Sequence, residues 1–283
     1  MINHLAVQNF NAIPWLETSR LMDTHQKTVV FSTDKPNVIV GPNGAGKSAL
    51  IESIALRFLA FLCGRSALDG HYINGQDAQS WWENVGKWTR EWAFLPGLSI
   101  DADEGPVRYY RPNHIPGNDH SIAAAMMCGY FEEARTYAAH TDHRSSGEKA
   151  RAVLEEMVSM MKGETDLPAG YLRRGWRDPL PAEQRKELWS GFEEEAIKAD
   201  FLMKRAEQGA QGRPLLLMDE PEQSLDALAE ARLWRTIEAA DCDRMQIIVA
   251  THSLYPILHS ERFHLIEATT GFVESVTEAI GWR

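Results

Sequence analysis

Residues 41–48 read Gly-Pro-Asn-Gly-Ala-Gly-Lys-Ser. The run fits the pattern G-x-x-x-x-G-K-[ST] at every position. Glycines let a backbone wrap so that successive N–H groups face anionic oxygens. A helix that opens at the same place adds its positive dipole end. In this pattern Asn43, Gly44, Ala45 and Gly46 supply backbone donors for a polyphosphate. Lys47 reaches the β- and γ-phosphates, and the Ser48 hydroxyl is a ligand for Mg²⁺.

A second group of chemically capable residues lies far along the chain. Residues 215–220 are Leu-Leu-Leu-Met-Asp-Glu, followed by Pro221. An apolar strand here delivers two adjacent carboxylates at its C-terminal end, where ligands sit in open α/β sheets. Asp219 suits Mg²⁺, directly or through water. Glu220 suits the general base that polarises an attacking water. Another apolar run, Ile-Ile-Val-Ala, ends in Thr251-His252-Ser253, 32 residues (252 − 220) past the acidic pair. A lone histidine after a strand can be structural. Beside this pair, His252 suits a γ-phosphate sensor or a water-orienting partner of Glu220.

The elements that must hold these residues are legible from periodicity. Leu5, Val7 and Phe10 mark a first strand, Thr28–Ser32 a second, and Asn37–Val40 a short buried strand ahead of the glycine-rich run. Ser48–Cys63 has helical spacing at Leu50, Ile51, Ile54, Phe58 and Leu62, with Gly64 as terminator. Ala93–Ile100 and Pro106–Arg111 read as strands around the acidic turn Asp101–Gly105. Residues 121–140 read as helix, 164–181 as loop and 182–209 as a charged helix. A helix from about Glu148 to Lys162 carries Ala150, Val153, Leu154, Met157, Val158 and Met161 on one face, and Gly163 is its C-cap. Leu215–Met218 is a buried strand, Ser224–Ala240 a helix, Gln246–Ala250 a strand and Ser253–His259 a short helix. Phe263–Glu267 and Phe272–Val276 read as final strands. The alternation at both ends points to an α/β sheet with a helical lobe between.

One further stretch sets the family. Residues 144–149 are Arg-Ser-Ser-Gly-Glu-Lys, leading into the helix from 148. Alone this is a capped helix start. The order is more specific: phosphate loop, Ser145-Ser146-Gly147-Glu148, LLLMDE, Ser224-Leu225-Asp226, then His252. That order resembles the ATP-binding-cassette (ABC) ATPase superfamily across nearly the whole chain. Ser145–Glu148 looks like its signature motif, Ser224–Asp226 its D-loop and His252 its switch histidine. SSGEK in place of LSGGQ, MDEPEQSLD, ATHSLYPIL and the opening INHLAVQNF look less like a transporter cassette. They resemble the RecF, SMC and OLD-like ATPases, in particular their small stand-alone "AAA-family" relatives. Many of those act in DNA repair or anti-phage defence beside a nuclease. Three positions depart from the pattern. No Q-loop glutamine is assignable, Gln76 and Gln79 being the candidates. Asn11 stands where many relatives have a basic residue, and Arg144 precedes the signature where an apolar residue is usual.

The resemblance implies a P-loop NTPase of ABC-ATPase type, with a mixed or parallel sheet core and a helical lobe. Residues 1–283 then form one domain: 1–70 and 211–283 the nucleotide-binding core, about 71–210 the lobe, with an insertion at about 164–213. It implies hydrolysis of ATP with Mg²⁺. It also implies a head-to-tail homodimer in which Ser145 and Gly147 of one subunit cover the γ-phosphate held by the other. Lys47 to Ser145 spans 98 residues (145 − 47), too few for a long coiled coil. Only 31 residues (283 − 252) follow His252, so a nuclease or toxin effector is expected on a separate polypeptide.

Composition sets the outer limits. The 283 residues are 44% hydrophobic and 24% charged, which excludes general disorder and low-complexity classes. Net charge is −11, from 29 basic and 40 acidic side chains. Nucleic acid cannot be held by bulk charge alone, so DNA contact requires a local patch, a dimer groove or the partner. Arg173, Arg174 and Arg177 among aromatics form one such patch, or a packed loop or protein interface. The tryptophans Trp81, Trp82, Trp88 and Trp92 have the same two readings. Cys63, Cys128 and Cys242 are scattered, odd in number and without zinc spacing, which fits free thiols in a reducing compartment. No apolar run approaches the ~18–20 residues of a membrane span, and the N-terminus is not a signal peptide. A cytoplasmic chain is expected. The competing readings are the cytosolic ATP-binding subunit of an ABC transporter, and a nucleotide-dependent scaffold that does not hydrolyse.

Overall fold

The computed structural model describes residues 1–7, 16, 19–57, 98–102, 107–112, 154–155, 157–164, 213–223 and 225–281. The expectations for Asn11, Gln76, Gln79, the tryptophans at 81–92, the signature with Ser145 and Gly147, the arginines at 173–177 and the helices at 121–140 and 182–209 lie outside these residues.

Two sheets carry the site. The smaller is antiparallel, with β1 (Ile2–Val7) between β2 (Thr28–Val30) and β4 (Leu98–Ala102). In β1 the apolar Ile2, Leu5 and Val7 point inward and are buried. The larger sheet is parallel in every pairing. It contains β3 (Asn37–Val40), β5 (Val107–Tyr110), β6 (Leu215–Asp219), β7 (Gln246–Ala250) and β8 (His264–Glu267), in the order β5-β6-β7-β3-β8. Every residue of β3, β6 and β7 is buried. Strands covered on both faces read as unbroken apolar runs and not as alternation, which is why NVIV, LLLM and QIIVA stand out.

Of the strands expected at 93–100 and 106–111, the described residues contain β4 at Leu98–Ala102 and β5 at Val107–Tyr110, and these two lie in different sheets. β4 runs on through Asp101 and Ala102 and pairs with β1, while β5 pairs with β6. Both lie inside the range 71–210. Tyr109 and Tyr110 stand level with Leu217 and Met218, and backbone pairing on a parallel edge outweighs the local turn signal.

Two buried amides join the sheets. Gln246 at the start of β7 accepts from Ile2 N at 2.6 Å and donates to Ile2 O at 2.8 Å. Asn37 at the start of β3 accepts from Ser32 N at 2.6 Å and donates to Ser32 O at 3.0 Å. Each amide has both a donor and an acceptor to place, and further donation from Asn37 to Ile247 O at 3.3 Å and from Gln246 to Ser32 O at 3.2 Å completes them.

Five helices, a helical segment within 154–162 and a 3-10 turn at Ser260–Arg262 accompany the sheets among the described residues. α1 (Arg20–Thr24) opens at Ser19, whose hydroxyl accepts from Met22 N at 3.2 Å. α2 (Lys47–Arg57) follows the glycine-rich run and lies against β6 and β7. Residues 154–155 and 157–162 are helical. That segment ends in a Schellman cap at Gly163: Gly163 N donates to Met160 O and Glu164 N to Ser159 O, with φ +75° at the glycine. α3 (Ala227–Glu238) is N-capped by Asp226, which accepts from Leu228 N and Ala229 N, both at 2.9 Å. Tyr255–Leu258 forms the short helix α4. Buried Trp234 of α3 stacks on Tyr255 at 6.2 Å and meets Phe263 edge-on at 5.9 Å, tying α3 to the end of the sheet. Met157, Met160 and Met161 pack into the same core.

Phe272–Val276 is not a strand. It belongs to a helix, α5 (Phe272–Ala279), entered through Gly271 at φ +74°. Phe272, Val273 and Val276 pack on the core cluster. Their i, i+1, i+4 spacing is a helical stripe, and a five-residue window was too short to separate it from alternation.

Candidate functional site

Register brings the site together. Asp219 at the end of β6 stands opposite Ala250 of β7, and Ile39 of β3 stands opposite the same Ala250. The three strands therefore finish level. Glu220 N donates to Ala250 O at 2.8 Å and Thr251 N to Ile39 O at 3.2 Å. The glycine-rich loop, the acidic pair and Thr251-His252-Ser253 thus leave one edge of the sheet side by side.

The loop is held from behind by α1. Leu21 N donates to Ala45 O at 3.0 Å. Gly46 has φ +101°, and a Cβ there would run into the Cβ of Ser19. Only glycine fits on both counts. Ala45 is buried, whereas Asn43 and Gly44 are exposed at the mouth. Leu50 N bonds Gly46 O at 3.0 Å, so the first turn of α2 begins within the loop.

Lys47 is only 4% exposed. Its ammonium donates to Gly41 O at 2.9 Å and Pro42 O at 3.1 Å, and lies 3.1 Å from His252 Nε2. Burial pushes its pKa below the ordinary lysine value, partly offset by the carboxylates of Glu220, Asp219 and Glu222. Ser48 Oγ donates to Asp219 Oδ1 at 3.0 Å. Asp219 is fully buried, and its Oδ2 lies 3.2 Å from Arg111 Nε.

Glu220 takes φ +48°, the left-handed region that non-glycine residues avoid. The turn is locked by Glu220 N on Ala250 O and by Gln223 N donating to Glu220 O at 3.1 Å. It sets Glu220 Oε1 3.2 Å from His252 Nε2. That ring nitrogen faces the ammonium as well as the carboxylate. The ammonium can only donate and the carboxylate can only accept, so either tautomer of His252 satisfies just one of these two neighbours at Nε2. Burial and the nearby Lys47 charge lower the His252 pKa, and Glu220 opposes them.

Three participants carried no recognisable signal in the sequence. Arg111 follows β5 and reaches Asp219 only because β5 is the neighbour of β6. Glu222 Oε1 accepts from the Thr251 hydroxyl and from His252 N at 3.1 Å, clasping the segment after β7 to the turn after β6. Burial raises its pKa. Ser19 is set against Gly46 by the return of the chain through α1. Asp226, expected as a D-loop aspartate, is the N-cap of α3.

The donor set suits the expected ligands. Ser48 and Asp219 present hard oxygens side by side, as Mg²⁺ requires. Among the described residues no three His, Cys, Asp or Glu side chains converge on a metal position. No helix among them is long and apolar enough to cross a membrane.

Residues 26–163 match the family described as ABC transporter, a range that includes the phosphate loop and the segment 144–149 but ends before β6. No curated protein matches the chain. The parallel α/β sheet with its glycine-rich loop has the fold of a P-loop NTPase, and the match over residues 26–163 supports an ABC-type ATPase.

Proposed function

We propose that the chain hydrolyses ATP as a head-to-tail homodimer and uses the cycle to control a separate effector, a nuclease or toxin, in DNA repair or anti-phage defence. The observation that carries the ATPase reading is the level finish of β3, β6 and β7, with His252 in contact with both Lys47 and Glu220 and Ser48 bonded to Asp219.

In this reading the backbone of Asn43–Gly46 cradles the phosphates. The Lys47 ammonium leaves Gly41 O, Pro42 O and His252 for the β- and γ-oxygens. Ser48 and Asp219 hold Mg²⁺, which supplies charge neutralisation on the phosphates. Glu220 takes a proton from the water that attacks the γ-phosphorus, and the bond to the β-bridging oxygen breaks to give ADP and phosphate. Once Lys47 has moved, His252 Nε2 is free to orient that water or meet the γ-phosphate. Ser145 and Gly147 of the second subunit close the site, so ATP and ADP states differ in dimer affinity and bias the effector.

Glu220→Gln tests the composite site. It keeps the shape and removes the base, so an ATP-bound dimer should accumulate and elute ahead of the monomer in size exclusion. A monomer at every nucleotide condition overturns the model. The family match is equally compatible with the cytosolic ATP-binding subunit of an ABC transporter. Co-purification with a membrane-spanning protein would favour that alternative.

A further inference from the structure

Asp219 is fully buried, and a buried carboxylate needs a compensating charge or several hydrogen bonds. Its two oxygens face different groups. Oδ1 accepts from Ser48 Oγ at 3.0 Å, and Oδ2 lies 3.2 Å from Arg111 Nε, on a side chain only 17% exposed. These are the two groups of the expected metal position, Ser48 and Asp219, with a guanidinium already on one of them. The placement follows from the sheet. Tyr110 pairs with Met218, so the residue after β5 falls beside the residue after Met218.

We propose that Arg111 is the resident counter-cation of Asp219 and exchanges partners when Mg²⁺·ATP binds: the divalent ion takes the carboxylate, and the displaced guanidinium turns to the phosphates. The inference rests on the metal role proposed for Asp219. Arginine stays charged at any accessible pH, so a guanidinium that loses a buried carboxylate must find another anion. The nucleotide supplies one at the same sheet edge. A planar fork of donors suits phosphate oxygens as well as it suits a carboxylate. The exchange keeps each charge neutralised before and after binding. It also holds Asp219 ready without letting a free divalent ion occupy the site first.

The signature is a pair of effects of opposite sign. Removing a cation next to a carboxylate strengthens its hold on other cations, by roughly ten- to thousand-fold for a close pair. Without nucleotide, Arg111→Gln and the apolar Arg111→Met should bind Mn²⁺, read by its paramagnetic resonance signal, at least about tenfold more tightly than wild type. The same variants should bind Mg²⁺ with a non-hydrolysable ATP analogue more weakly, by calorimetry, because the phosphates lose the guanidinium. Arg111→Lys should fall between. An unchanged Mn²⁺ affinity in both variants overturns the exchange, as does a change of the two affinities in the same direction. Asp219→Asn separates the two readings. If it leaves Mn²⁺ affinity with the analogue unaltered, the metal role itself is wrong.

Discussion

Glu220 offers a test that separates backbone strain from chemistry. Its φ of +48° is held by Ala250 O on one side and the turn to Gln223 on the other. An L-residue in this region costs about 1–2 kcal/mol relative to the right-handed one. Glycine escapes that cost but loses about 0.4–1 kcal/mol through the greater freedom of its unfolded chain. The difference leaves Glu220→Gly more stable than Glu220→Ala by roughly 0.5–1 kcal/mol, a rise of about 1–2 °C in melting temperature at this chain length. Both variants lack the carboxylate, so the loss of contact with His252 cancels in the comparison. Denaturant titration of the two proteins reads the difference. An Ala variant as stable as the Gly variant, or more so, would mean that the positive φ is not maintained. ATP turnover supplies the second axis. Both variants should bind nucleotide and fail to hydrolyse it, and a Gly variant with wild-type turnover would refute Glu220 as the base. Strain retained at the residue proposed to handle the proton is what a site selected for geometry over stability should show.

Gly46→Ala should cost about 1–3 kcal/mol and abolish nucleotide binding, because the new Cβ meets both the positive φ and Ser19; thermal unfolding and calorimetric titration with ATP check the two effects. Lys47→Ala should lose nucleotide binding while the loop carbonyls of Gly41 and Pro42 lose their donor; unchanged ATP affinity refutes the phosphate-loop assignment. His252 has a pKa below its ordinary 6.5, so its unfolded form takes up a proton first and the ligand-free fold should lose stability as pH falls from 6.5 through the folded value; His252→Gln should flatten that limb of a melting-temperature profile. Glu222 has the opposite sign: its pKa lies above 4.5, so its contribution is full below 4.5 and is lost as pH rises through the folded value. Glu222→Gln, which keeps an acceptor for the Thr251 hydroxyl, should remove that loss and leave the acid limb to His252.

What was legible in the sequence shares one physical property: the signal was local. The phosphate loop declares itself because glycine, lysine and serine must sit at fixed offsets on one turn of chain. β3, β6 and β7 declare themselves because burial on both faces leaves polar residues only at the strand ends, Asn37, Asp219 and Gln246. Gly163 could be read as a cap because the bonds it closes reach back only three and five residues. α5 failed because its apolar stripe is short and polar residues fill the same window. Arg111 and Glu222 failed for another reason. Nothing around Arg111 distinguishes it from the last residue of any edge strand. Its meaning lies in the strand order, which sets β5 against β6 although more than a hundred residues separate them. Glu222 reads as one acid too many after the pair until β7 brings Thr251 and His252 to its carboxylate. The residues that would do the chemistry were thus marked by type and spacing. The residues that hold them ready were marked only by adjacency, and in a parallel sheet adjacency is set by crossovers whose order the chain does not spell out. A guanidinium beside the carboxylate proposed to hold Mg²⁺ is therefore the kind of feature that a motif-based reading passes over. The opposite shifts in Mn²⁺ and nucleotide affinity expected of Arg111→Met are the means to show whether it matters.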